Sequence, residues 1–168
     1  MLNKTAHLFY RAIGFYLAFV GGSVASAAES LCIIGETEVF TCSIDGKTLS
    51  ICEKDPEHFS YRYGAQNNIE LNISSGLRFS TMGFSGGFES RMTFNNGAYD
   101  YVVFSAMYSL GPTNPEKDMQ AGVLVAKDGV KIGRKRCTDP IHTDFELSST
   151  AAKIYSDYEG NQKRFVKY

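Results

Sequence analysis

Hydrophobic and polar residues alternate in short runs from residue 36 onward, the pattern of strands that bury one face. The run 59–63 places three aromatic residues on one face, and the run 68–73 does the same with three aliphatic residues. By this periodicity and the turn residues between runs, the predicted strands are 36–44, 48–54, 59–63, 68–73, 78–83, 89–94, 99–108, 121–126 and 130–135.

Two-residue turns join several of these runs. Asp45-Gly46, Asn96-Gly97 and Asp128-Gly129 are typical of hairpins whose turn residues both need positive φ. Ser85-Gly86-Gly87 separates two further strands, and residues 111–118, with two prolines, are predicted to form a surface loop. About eight short strands with no long internal helix predict an all-β fold, an antiparallel barrel or sandwich.

The C-terminal part of the chain changes period. Its apolar residues follow helical spacing and Gly160 is a stop signal, so a short C-terminal helix is predicted to pack against an open face or edge of the sheet. The residues that carry this spacing are Leu147, Ala151, Ile154, Tyr155 and Tyr158.

The N-terminal part predicts export. A basic start is followed by an apolar run at 12–20 and by the small residues Ala25-Ser26-Ala27, as in a secretory signal peptide. The apolar run is too short to span a bilayer of roughly 30 Å. We therefore expect a signal peptide at 1–28 and a single β-rich domain at 29–168, located in the periplasm or secreted, with no membrane span.

The net charge of the chain does not favour binding to nucleic acid. The 168-residue chain has 17 basic and 18 acidic residues; Lys4 and Arg11 leave with the signal peptide, so 15 basic residues remain and the net charge is −3. Arg134-Lys135-Arg136 and Lys163-Arg164 form local basic clusters. We interpret them as a solvated strand end and a charged tail, with a patch for an anionic partner as the alternative.

All four cysteines fall in the exported part, and an even number in an oxidising compartment predicts two disulfides. Cys42 lies on the hydrophobic face of its strand and Cys52 on the polar face of the next. This favours Cys42–Cys137 inside the core and Cys32–Cys52 outside. The cysteines contain no C-x-x-C pair, so neither a metal site nor another cofactor is expected.

The segment Gly83-Phe84-Ser85-Gly86-Gly87 matches G-x-S-x-G, the nucleophile elbow of serine hydrolases. That motif needs a sharp turn from strand to helix, whereas residues 89–94 alternate like a strand. A small serine hydrolase that uses Ser85 and His142 is therefore an alternative only, and no catalytic residue is assigned.

The same segment is better interpreted as a binding loop on a β-scaffold, because such loops often carry function. Phe84 and Phe88 flank Ser85, Gly86 and Gly87 as apolar anchors of the kind that dominate binding hot spots. We predict these five residues to contact a protein partner; the oligomeric state is not predicted.

Other candidate residues have simpler interpretations. Glu36, Glu38 and Glu70 could supply a carboxylate pair for glycoside cleavage, but acidic residues near strand edges are ordinarily solubilising. His58 lies in a predicted turn and is interpreted as a solvated histidine. Four tyrosines are predicted to be core or sheet-face residues, with a sugar or peptide platform as the alternative: Tyr61, Tyr63, Tyr99 and Tyr101.

Several segments together resemble a group of small exported proteins of Gram-negative bacteria whose function is uncharacterised. The resemblance covers about residues 29 to 139 and brings no activity with it. Its segments are Glu29-Ser30-Leu31-Cys32, Glu38-Val39-Phe40-Thr41-Cys42, Gly46-Lys47-Thr48-Leu49-Ser50-Ile51-Cys52, Tyr61-Arg62-Tyr63-Gly64, Phe84-Ser85-Gly86-Gly87, Thr93-Phe94-Asn95-Asn96-Gly97, Tyr99-Asp100-Tyr101-Val102-Val103-Phe104, Ala121-Gly122-Val123-Leu124-Val125, Asp128-Gly129 and Cys137.

A weaker similarity points to function. The Cys42 strand, the Asp45-Gly46-Lys47 turn, a mid-chain Ser-Gly loop and a late cysteine are similar to the periplasmic and membrane-bound lysozyme inhibitors. That similarity implies a β-barrel that inserts Ser85 and Gly86 into the lysozyme cleft, with a tyrosine soon after; Glu89 stands at that place here. We expect an exported, non-enzymatic binding protein, an inhibitor of a lysozyme-like cell-wall hydrolase, or alternatively a structural envelope-interaction module.

Overall fold

The computed structural model describes residues 28–114, 116–138 and 145. The predicted signal peptide and C-terminal helix lie outside these residues. The described strands are β1 (Thr37–Ile44), β2 (Lys47–Asp55), β3 (His58–Ala65), β4 (Asn68–Ile73), β5 (Arg78–Phe84), β6 (Gly87–Asn96), β7 (Tyr99–Ser109), β8 (Lys117–Lys127) and β9 (Val130–Arg136).

The strands form two antiparallel sheets in which each strand pairs with the next along the chain. One sheet has the order β1-β2-β3-β4 and the other the order β5-β6-β7-β8-β9. The all-β, antiparallel prediction is confirmed, but the closed barrel is wrong. The chain leaves the first sheet after β4, and Ser75 bonds with Asn95 at the end of β6 instead of continuing the first sheet.

Two of the predicted hairpin turns are confirmed by their dihedral angles. Asp45 and Gly46 have φ of 52° and 77°, and Asp128 and Gly129 have φ of 50° and 77°. The third turn is shifted by one residue: Asn96 pairs with Tyr99, so Gly97 and Ala98 form the turn. The predicted loop at 111–118 is also too long, because the pairing of β7 with β8 begins at Ser109 and Lys117.

Both sheets contribute to one hydrophobic core. The Tyr61 ring of β3 lies with its centroid 5.8 Å from that of Phe94 and 5.5 Å from that of Tyr101, both in the other sheet. Burial raises the pKa of the Tyr61 phenol, and the neighbouring Tyr101 adds to that rise. Phe145 adds a further ring, 5.4 Å from Phe40.

Both predicted disulfides are present, Cys42–Cys137 and Cys32–Cys52. The first joins β1 to the residue after β9 and so links the two sheets, as its place in the core predicts. Cys52 lies on the face turned away from the core, as predicted, but it is fully buried there.

Residues 30–36, here called the N-terminal strap, explain that burial. The Leu31 N–H donates to Ser50 Oγ over 3.0 Å, and an Arg62 guanidinium N–H donates to the Leu31 carbonyl over 3.1 Å. Together with the Cys32–Cys52 bond, these contacts hold the strap over the outer face of the four-stranded sheet.

Candidate functional site

The predicted binding loop is the turn between β5 and β6. Phe84 pairs with Gly87 across the hairpin, which leaves Ser85 and Gly86 as a two-residue turn with both residues exposed. Gly86 has φ of 88°, a conformation that side-chain-bearing residues rarely adopt. We call residues 84–88 the β5–β6 tip.

The β5–β6 tip is bonded to the neighbouring strand. The Ser109 N–H, at the end of β7, donates to the Gly86 carbonyl over 2.6 Å. A Cβ at position 86 would lie 3.0 Å from the Ser109 Cβ, so the turn and the end of β7 are in close contact. The turn is therefore supported from one side while Ser85 remains exposed on the other.

Gly87 lets β6 approach β7 closely. A Cβ at this position would overlap the carbonyl oxygen of Met107 and lie 2.8 Å from a ring carbon of Phe84. The Phe84 ring stacks on Tyr108, with centroids 5.5 Å apart and planes inclined by 28°. Phe84 is thus half-buried, and Phe88, opposite Met107, is half-buried as well.

Tyr108 is a residue of this site that sequence reasoning missed. It lies 21 residues after Gly87 along the chain, but the register of β6 and β7 places it directly opposite Gly87. The predicted Asn96-Gly97 turn would instead place Ala106 opposite Gly87, so the sequence did not indicate this pairing; the observed Gly97-Ala98 turn shifts the register by two residues.

A buried ion pair lies next to the β5–β6 tip. The Arg91 guanidinium donates to the Glu89 carboxylate, and both side chains are almost wholly buried. The Tyr108 hydroxyl donates to the other Glu89 oxygen over 3.4 Å. Glu89, which occupies the place of the expected tyrosine, therefore belongs to the support of the tip and not to its exposed surface.

The geometry around Ser85 differs from that of a nucleophile elbow. The turn leads directly into strand β6, and a nucleophile elbow leads into a helix. His58 lies in the other sheet and its ring bonds with the Asp55 carboxylate over 2.7 Å. This bond lowers the pKa of Asp55. His142 lies outside the described residues. What the tip offers is an exposed hydroxyl and exposed backbone groups for hydrogen bonding.

Of the three acidic residues considered for glycoside cleavage, Glu36 and Glu70 form ion pairs, and Glu38 is exposed on β1. Glu36 accepts two hydrogen bonds from the Arg62 guanidinium, one of them over 2.8 Å, and its side chain is only 7% exposed. This bonding lowers the pKa of Glu36. Glu70 pairs with Lys47 over 2.7 Å at the surface. The solubilising interpretation of Glu36 is therefore wrong, because the carboxylate fastens the N-terminal strap.

Sulfur atoms of Cys32 and Cys52 lie close to the Glu36 carboxylate. Both sulfurs belong to a disulfide, so neither is a thiolate that could bind a metal ion. The predicted disulfide pairing thus gives these cysteines a structural role.

The four tyrosines do not share one surface. Tyr61 is buried in the core, and Tyr63 and Tyr101 are partly buried against it. Tyr99 is exposed at the opposite end of the sheet from the β5–β6 tip, with the Lys127 ammonium 5.5 Å from its ring centroid. The core interpretation holds for Tyr61, and Tyr99 belongs to a different surface.

Among the described residues there is no helix with the length and hydropathy needed to cross a membrane. No family model matches this chain, and comparisons with curated proteins and with solved structures give no significant match. The two family resemblances drawn from the sequence therefore stay predictions.

Proposed function

We propose that this chain is an exported, non-enzymatic binding protein that inhibits a lysozyme-like cell-wall hydrolase through the β5–β6 tip. The observation that carries the proposal is the contrast between an exposed turn and its packed support: Ser85 and Gly86 are exposed, whereas the Gly86 carbonyl is bonded to Ser109 and Gly87 packs against β7. A loop held in one conformation loses less conformational entropy on binding, which favours affinity.

The mechanism would be steric occlusion of the partner's cleft. The Ser85 hydroxyl and the backbone groups of Gly86 and Gly87 would form hydrogen bonds inside the cleft. Phe88 would pack at the cleft's rim. Phe84 would take part through its stacking on Tyr108, which sets the position of the turn.

The position of Tyr108 supports the analogy with lysozyme inhibitors. That analogy implies a tyrosine close to the Ser-Gly turn, and the sequence has Glu89 at the expected place. In the fold, Tyr108 lies opposite Gly87 and brings a tyrosine to the same neighbourhood from the next strand. A partner contacts residues according to their positions in the fold and not their order in the sequence. The presence of Glu89 at the expected place of the tyrosine therefore does not weaken the proposal.

The non-enzymatic part of the proposal rests on the hairpin that holds Ser85. Activation of a serine requires a base within hydrogen-bond reach, and the hairpin turn itself supplies none. A serine-reactive phosphonate tests this directly: we expect no labelling of the purified protein, and labelling at Ser85 would favour the hydrolase alternative.

The disulfides and the N-terminal sequence support the proposed compartment. Two disulfides and no free cysteine among the described residues suit an oxidising compartment, and residues 1–28 have the pattern of a signal peptide. We therefore propose a periplasmic or secreted location.

An inhibition assay tests the function. Disulfide-bonded protein is titrated against c-, g- and i-type lysozymes on cell-wall substrate, with Ser85→Asp as the test variant and the exposed Ser74→Asp as its charge-matched control. We expect stoichiometric inhibition of at least one type, retained in Ser74→Asp and weakened at least about tenfold in Ser85→Asp, because an unpaired carboxylate would be buried in the cleft. Absence of inhibition for all three types, or equal inhibition by both variants, would overturn the proposal.

A further inference from the structure

The end of the five-stranded sheet opposite the β5–β6 tip carries a second exposed surface. Tyr99, Lys127 and Val130 lie in one row across β7, β8 and β9, because Lys127 pairs with both of the others. Lys131 and Ile132 follow directly on β9. We call these five residues the basic corner.

The basic corner is apolar as well as charged. Val130 is 66% exposed and Ile132 is 59% exposed, which is unusual for two neighbouring β-branched residues on one strand. Tyr99 is 36% exposed with Lys127 over its ring. Tyr99, Lys127 and Val130 therefore share one face at this end of the sheet, and Lys131, which pairs with Ala126, lies on the other face of the same strand end.

Positive charge continues from the corner along the strand. Segment 127–136 contains five basic residues and one acidic residue, Asp128; of the five, Lys135 pairs with Asp45 over 2.7 Å. Arg134 stacks over the Phe104 ring at 4.8 Å and bonds with Gln120, so its charge is held against the sheet. Lys131 and Arg136 are exposed.

Protection of a sheet edge explains only part of this pattern. Lysines and a bulge both discourage an edge strand from pairing with another copy, and β9 has both, with the bulge at the pairing of Val125 and Ala126. Such protection gives no reason to expose Val130 and Ile132, since polar residues would serve it better.

We infer that the basic corner binds an anionic lipid surface, with Val130 and Ile132 entering the boundary between headgroups and acyl chains. Lys127 and Lys131 would contact lipid phosphates, and Tyr99 would lie at headgroup level, where tyrosine is enriched in membrane proteins. This combination of shallow apolar insertion with electrostatic attraction is how peripheral proteins bind anionic membranes.

The location of the corner suits this role. Strand β8 begins beside the β5–β6 tip and ends at Lys127, a length of roughly 30 Å for its 11 residues. A protein resting on a membrane by the basic corner would therefore leave the β5–β6 tip free to meet a soluble partner. The inference does not depend on that partner, because the corner shares no residue with the tip.

Vesicle sedimentation tests the inference. Disulfide-bonded protein is mixed with vesicles of phosphatidylcholine alone or with equal parts of phosphatidylglycerol, at low and high salt. We expect binding to the anionic vesicles only, weakened by salt. Equal binding to both vesicles, or binding to neither, would overturn the inference.

Two variant pairs separate lipid insertion from simple charge attraction. Lys131→Gln should weaken binding about fivefold, whereas the exposed Lys117→Gln at the other end of β8 should change it less than twofold. Val130→Ser with Ile132→Ser should weaken binding about tenfold or more, and Leu110→Ser with Met119→Ser, also exposed, should not.

The outcomes of these pairs are decisive. If the Val130 and Ile132 variant binds anionic vesicles as well as the unchanged protein does, the corner is an electrostatic patch for any polyanion and the lipid inference fails. If the control variants lose as much binding as the test variants, the site lies elsewhere and the inference also fails.

Discussion

The two sheets of this molecule differ in what lies on them: the four-stranded sheet is covered by the N-terminal strap, whereas the five-stranded sheet carries the β5–β6 tip and the basic corner. On the first sheet, the N-terminal strap covers the outer face with a disulfide and a buried Arg62–Glu36 ion pair. On the second sheet, an uncharged tip projects from one end and the basic corner from the other. The comparison teaches that two antiparallel sheets in one fold can differ in what covers them: a strap covers the outer face of one, and the other leaves its ends exposed.

The largest loss of unfolding free energy should come from removing the Cys42–Cys137 disulfide, which links the two sheets. In the chain-entropy model, loss of Cys42–Cys137, which spans 95 residues, costs about 4–5 kcal/mol of unfolding free energy. Loss of Cys32–Cys52, which spans 20 residues, should cost about 1.4 kcal/mol less. Urea unfolding of the two double-alanine variants measures both. A greater loss for the shorter loop would show that the strap, and not the link between sheets, dominates stability.

The next effect concerns the ion pair under the strap. Glu36→Gln should lower the unfolding free energy at pH 7 by about 3 kcal/mol, because it leaves the Arg62 guanidinium buried without its counter-charge. Glu70→Gln, which removes an exposed pair with Lys47, is the control and should barely move the urea midpoint.

The same pair predicts a pH dependence with a definite sign. Because Arg62 lowers the pKa of Glu36 below its ordinary value of 4.5, the carboxylate stabilises the fold above that pH. The stabilisation is lost as the pH falls through the lower pKa of the folded state. The difference between the unchanged protein and Glu36→Gln should therefore shrink below pH 4.5 in urea unfolding; a constant difference down to pH 2 would contradict this account.

A smaller effect is expected at the β5–β6 tip. Gly87→Ala should cost about 1–3 kcal/mol, since the added Cβ would overlap the Met107 carbonyl and push β6 from β7. Gly83→Ala in the same hairpin is the control, because a Cβ there meets no atom within 4 Å. Equal unfolding free energies for the two variants would mean that the tip is not packed against β7.

The sequence was informative where interactions are local. Alternating residues and X-Gly dipeptides predicted the strands, with ends shifted by a few residues, and the strand faces of Cys42 and Cys52 predicted both disulfides. A turn was predicted at Ser85-Gly86-Gly87, and Ser85 and Gly86 form it; their role in binding stays a prediction. These features depend on neighbouring residues, whose spacing is visible along the chain.

Apart from the Cys42–Cys137 pairing, features that depend on distant segments were missed. The burial of Cys52 and Glu36 depends on the N-terminal strap, which lies over the outer face of the four-stranded sheet. The residues around Glu36 in the sequence do not indicate that Arg62 is its partner. The support of Ser85 by Tyr108 and Ser109 depends on strand register. The open arrangement of the sheets depends on the 74–77 connection, which has no strong turn or strand pattern of its own.

The most direct test of the proposed function is competition for the partner's cleft. Binding of the disulfide-bonded protein to c-, g- and i-type lysozymes is measured by calorimetry, with and without tri-N-acetylglucosamine as an occupant of the cleft. We predict that the oligosaccharide weakens binding in proportion to its concentration, and that Ser85→Asp weakens it with no change in the unfolding free energy. Binding that the oligosaccharide and Ser85→Asp both leave unchanged, or no binding to any lysozyme, would contradict occlusion by the β5–β6 tip.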